Sequence, residues 1–131
     1  MNDSRADIGE LVRTLDDEPH PLHSDFTPSV DRLIELGLPA AVAVVDLLDA
    51  PDPATRLHAQ RVIEGAVMRA NGWRPNQGYP DTDGEQRTRR VLEQNGGYRF
   101  DAAPEQRKAA LERWRAWLAA AQRGSTENER P

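Results

Sequence analysis

Apolar residues recur at helical spacing in six stretches of this chain, divided by proline, glycine and polar runs. Ile8, Leu11, Val12 and Leu15 share one stripe and predict a helix over about 5–15. A polar, proline-broken segment follows from Asp16 to Phe26. Thr27-Pro28 then supplies a helix cap and a first-turn proline, opening a helix that carries Val30, Leu33, Ile34 and Leu36 and stops at Gly37. Pro39 opens a third helix, Ala40 to Asp49, which is apolar on most faces and is therefore expected to be the most buried. Asp52-Pro53 repeats the cap-plus-proline start for a fourth helix, through Leu57, Val62, Ile63, Ala66 and Val67 to about Ala70, ended by Asn71-Gly72. Residues 73–84 hold two prolines and two glycines and read as a loop. A fifth helix is predicted over about 85–95, closed by Gly96-Gly97. The sixth opens at Pro104, carries Leu111, Trp114, Leu118 and Ala121, and ends near Gln122, leaving 124–131 as a polar tail.

Some of these elements repeat. Pro53-x-x-Arg56-x-x-Ala59 returns as Pro104-x-x-Arg107-x-x-Ala110. Leu11-Val12-Arg13-Thr14-Leu15 matches Val44-Val45-Asp46-Leu47-Leu48, and Arg32-Leu33-Ile34-Glu35 matches Arg61-Val62-Ile63-Glu64. Leu15 to Arg32 is 17 residues and Leu48 to Arg61 is 13, so the first helix pair carries about four extra residues in its turn, within Glu18 to Phe26. A lone helix pair cannot bury its own apolar face, so repeated pairs are expected to stack.

The run Leu47-Leu48-Asp49-Ala50-Pro51-Asp52-Pro53-Ala54-Thr55-Arg56-Leu57-His58-Ala59 resembles the inter-helix turn and second-helix start of HEAT repeats. That resemblance implies an all-α fold, a short right-handed solenoid of antiparallel helix pairs. One domain, 1–123, would hold hairpins at about 5–37, 39–72 and 85–122. It also implies a generic role in holding partner proteins and brings no catalytic residues with it. The chain departs from the HEAT pattern at Ala50, where the aspartate of the inter-repeat ladder usually stands, and at Thr55, which is usually aliphatic.

Composition narrows the function. At 131 residues the chain can build a core without staples, and with no cysteine it has neither disulfides nor thiolate metal ligands. No apolar run reaches membrane-span length, and Met1-Asn2-Asp3-Ser4 lacks a secretory start, so a cytoplasmic protein is expected. The net charge of -5 divides unevenly: residues 1–53 carry twelve acidic and three basic side chains, and 54–131 carry ten acidic and fourteen basic. Lys108 is the sole lysine; the arginine bias suits carboxylate or phosphate recognition and also follows from a GC-rich genome. The opposed halves allow salt-sensitive self-association, with the acidic half steering a basic partner.

Candidate chemistry is sparse. All three histidines are candidate metal ligands: His20-Pro21-Leu22-His23 with Asp25 in the expanded turn is the leading set, and His58 with Glu64 lies on the fourth helix, without the helical spacing that would make such a signal strong. Ser4, Ser24, Ser29 and Ser125 sit in no nucleophile elbow, and no glycine-rich phosphate loop or Walker lysine occurs, so neither catalysis nor a cofactor is expected. Arg87, Arg89, Arg90, Arg107, Lys108, Arg113 and Arg115, interleaved with Trp114 and Trp117, form a candidate nucleic-acid stripe, which the acidic net charge disfavours. The favoured partner is another protein. Trp73, Arg74 and Tyr79 in the long loop, with Arg87 and Arg90, have the composition of an interface. Alternatively the two aromatics fold back over the groove between the second and third hairpins.

Overall fold

The computed structural model describes residues 4–95 and 98–129. The protein is all-helical: α1 (Ser4–Arg13), α2 (Pro28–Leu36), α3 (Leu38–Val44) running into a 3₁₀ segment (Val45–Asp49), α4 (Pro53–Ala70), α5 (Thr82–Gln94) and α6 (Pro104–Glu129). Among the described residues there is no strand, only an isolated bridge between Arg74 and Gly78.

The cap signatures work as the sequence says. The Thr27 hydroxyl accepts from the Val30 amide at 3.0 Å and donates to the Leu15 carbonyl at 2.8 Å. One buried side chain thus starts α2 and ties it to Leu15, at the beginning of the preceding turn. Asp52 accepts from the Ala54 amide at 2.9 Å and opens α4 ahead of Pro53. Gly37, at φ +82°, ends α2 and serves as the N-cap of α3 with no loop between them.

α4 is the central element, packed against α2, α3, the 3₁₀ segment and α5. Its Ala59, Val62, Ile63, Ala66 and Val67 join Val30 and Leu33 of α2, Ala40, Ala41 and Val44 of α3, and Leu48 in one apolar cluster that extends to Trp114 and Leu118 of α6. α1 packs on α2 and α3, so the first two helix pairs lie side by side.

Four details differ from the sequence expectation. The third helix tightens to 3₁₀ after Val44, where two β-branched residues are consecutive. The Leu48 carbonyl of that segment accepts the Tyr98 hydroxyl at 2.6 Å. α5 begins at Thr82 because Asp81 caps it, accepting from the Gly84 amide at 2.9 Å. It ends at Gln94 with Asn95 bonding back to the Val91 carbonyl at 3.0 Å, and the expected stop at Gly96-Gly97 lies outside the described residues. α6 continues through the segment read as a tail, to Glu129; 130 and 131 lie outside the described residues.

The fourth difference concerns the third hairpin. α5 packs on α4, and α6 packs on the 3₁₀ segment and α3; among the described residues the two do not pack on each other. A cavity of about 210 Å³ lined by Leu48, Ile63, Leu92, Tyr98 and Trp114 lies between them. Residues 85–122 therefore do not form a self-packed helix pair, whereas α1 packs on α2 and α3 on α4.

The repeated arginine motif is a local clamp used twice. Arg56 donates from Nη1 to the Ala50 and Pro51 carbonyls at 2.7 and 3.1 Å, and from Nε to the Phe100 carbonyl at 2.8 Å. Arg107 donates from Nη1 to the Ala102 carbonyl at 2.7 Å, and its Nε stands 3.5 Å from Asp49. Each arginine holds the turn just before its own helix. Arg56 also fixes the segment leading into α6.

Candidate partner-binding groove

α2 and α4 meet at Gly65. A Cβ placed there would stand 2.7 Å from Cδ1 and Cγ1 of Ile34 and 2.8 Å from Cγ2, so only glycine admits this approach without a shift. Beside that contact lies an open groove of about 460 Å³. Ile34, Met68, Phe26, Trp73 and Pro75 give it an apolar lining, and Asp31, Glu35, Arg61, Glu64 and Arg69 complete it. Its size falls within the usual range of ligand and anchor pockets.

One wall is held by the long turn before α2. Arg61 donates to Asp25 from Nε at 2.6 Å and to Glu64 from Nη1 at 2.9 Å. The hydrogen bond from Arg61 holds the Asp25 carboxyl below its ordinary value of 3.8, against the opposing pull of burial. Burial pulls Arg61 downward, but its bonds to Asp25 and Glu64 outweigh it and raise the guanidinium above its ordinary value. One turn earlier on α4, His58 is 2% exposed, with Nδ1 2.5 Å from Asp16 and Nε2 2.9 Å from the Ser24 carbonyl. Thr55 donates to the other Asp16 oxygen at 2.5 Å. Thr55, His58 and Arg61 follow one another at i, i+3, i+6 on α4 and fasten the turn that delivers Phe26 to the groove.

The opposite wall is the loop after α4, which is tied at both ends. The Trp73 amide donates to the Met68 carbonyl at 3.1 Å, and Arg74 and Gly78 exchange backbone bonds of 3.1 and 2.9 Å. Tyr79 donates to Thr88 at 3.1 Å, and Asn71 donates to Thr88 at 3.1 Å and to the Val67 carbonyl at 3.2 Å. Of the five residues predicted for a partner surface, only Trp73 lines the groove. Arg74 caps the end of α4, donating to the Arg69 and Trp73 carbonyls at 3.2 and 2.7 Å. Tyr79 is spent on closing the loop against α5. Arg87 donates to Asn71 at 3.3 Å, and Arg90 is exposed on α5, away from the groove lining. The loop aromatics thus divide: Tyr79 folds back and Trp73 faces a groove between α2 and α4, rather than one between the second and third hairpins.

The other candidates are dispersed. His20 pairs with Asp31 at 3.0 Å while Asp25 is taken by Arg61. Among the described residues no group of three or more His, Asp and Glu is placed to hold a metal ion. In the arginine stripe, Arg89 pairs with Glu85 at 3.3 Å and Arg115 with Asp46 at 2.7 Å. Trp114 is buried and meets Trp117 edge-on, with centroids 5.7 Å apart, so it offers no face for a base. No described helix is long and apolar enough to cross a membrane.

Gly65, Ile34, Met68, Phe26 and Arg69 were given no binding role from sequence. A glycine inside an otherwise strong helix was the available signal, since it costs about 1 kcal/mol against alanine and marks a close approach. Comparison with protein-family models, with curated proteins and with solved structures found no match.

Proposed function

We propose that this chain is a non-catalytic protein–protein interaction module whose partner seats in the groove between α2 and α4. In this reading the first two helix pairs are a short right-handed HEAT-like stack, and α5 and α6 close its end. The observation that carries the reading is the groove itself: an apolar trough walled by Phe26, Ile34, Met68 and Trp73 and rimmed by charge, which is the anatomy of an anchor site. The two loops that form its walls are fastened by side-chain and backbone bonds, so the trough is preformed and little ordering cost falls on binding.

Affinity capture from native lysate with the wild-type chain and a Trp73→Ala variant tests it, with proteins and nucleic acids both read out. The expected result is one stoichiometric protein that the variant fails to retain. Retention of the same protein by the variant, or capture of nucleic acid alone, contradicts the reading.

A further inference from the structure

We infer that the groove selects an occupant bearing a carboxylate, carried by an Asp or Glu side chain of the partner protein next to a large apolar residue. The inference rests on the groove being the partner surface and adds what chemistry it reads. Five charged side chains line the groove, and four are already answered within the chain. Asp31 meets His20 at 3.0 Å, and Glu35 meets Arg32 at 3.9 Å. Glu64 receives Arg61 and Gln60, both at 2.9 Å, and Arg61 also holds Asp25.

Arg69 is the exception. Its Nε is buried and has no hydrogen-bond partner, and no ion pair reaches its guanidinium among the described residues. Arg69 nonetheless lines the groove, and a planar guanidinium without an ion pair is best satisfied by a carboxylate through paired hydrogen bonds. The acids of the rim do not supply it, since each has its own partner. The arginine stands in the same groove as Trp73, Met68 and Ile34, so a carboxylate reaching it brings its neighbouring apolar side chain into that lining. Asp31 and Glu35 of the acidic half line the same groove, so selection rests on direct contact at Arg69 rather than on the net charge of the lining.

The test uses isotope-labelled full-length protein and two probes of nearly equal shape, 4-phenylbutyrate and 4-phenylbutyramide, read at the Trp73 indole signal. The carboxylate should bind about tenfold more tightly than the amide. Arg69→Gln should erase the difference, and Arg69→Lys should restore part of it. Equal affinities, tighter binding of the cationic 4-phenylbutylamine, or no response at about 10 mM overturns the inference. A second arm selects from a library of peptides blocked at both ends. Enrichment of Asp or Glu beside aliphatic or aromatic residues, lost on the Arg69→Gln protein, supports a protein source. Enrichment of basic residues, or a preference confined to the free small acid, overturns it. If capture by Trp73→Ala is unchanged while carboxylates still bind, the protein-partner reading fails. If capture is lost while the acid and amide bind alike, only the carboxylate inference fails.

Discussion

Gly65 decides how close α2 comes to α4, because no larger residue leaves room for the branched side chain of Ile34. Gly65→Ala gains helix propensity of about 1 kcal/mol but overpacks a stiff β-branched neighbour, and the crowding should win by about 1 kcal/mol. Chemical denaturation across the double-mutant cycle checks this: Gly65→Ala should destabilise the wild-type protein and stabilise an Ile34→Ala protein, where the crowding is gone. A single variant more stable than wild type would show that the contact is slack. Tyr98 makes a separate residue-scale prediction. Burial, only partly offset by Arg56 and Arg107, pushes its hydroxyl from 10.0 up to about 12, so the folded state holds the proton that the unfolded state releases first. Its contribution is complete below pH 10 and fades as pH rises toward 12, an upper bound of about 2–3 kcal/mol. Tyr98→Phe should cost about 1 kcal/mol at neutral pH, through the lost bond to the Leu48 carbonyl, and should flatten the stability profile above pH 10.

At the scale of elements, the long turn before α2 is held by α4 rather than by itself, through Thr55, His58 and Arg61. Asp25, with its folded-state value lowered, contributes stability above about 3.8 that is lost as pH falls through the lowered value. The pair is about a quarter exposed on each side, so the contribution is about 1 kcal/mol. Asp25→Asn should therefore be less stable than wild type at pH 6, and the two should draw together as pH falls below 3.8 and through the lowered value, as urea midpoints would show; parallel curves would contradict the assignment. Thr27-Pro28 and Asp52-Pro53 were legible in the sequence because a cap and a first-turn proline act within four residues. The pairing of α5 with α6 was expected from their order along the chain, and it fails because α6 finds its apolar partners on α3 and the 3₁₀ segment. Trp73 was picked out by residue type alone. Arg69 has no local mark, since what distinguishes it is that every other charge in the groove has found a mate in space.

For the whole molecule, the two helix pairs and the two fastened loops create one apolar trough that neither pair makes alone, since α2 and α4 belong to different pairs. The exposed Lys108 end of α6 takes no part in that lining. The most direct test places a photo-crosslinking amino acid at Pro75, exposed on the rim of the trough, and in a separate protein at Lys108, and irradiates each in the native cell. One discrete protein adduct is expected from position 75 and none from position 108. Adducts from Lys108 alone, or the same adducts from both positions, would contradict the claim that the groove between α2 and α4 is where this protein meets its partner.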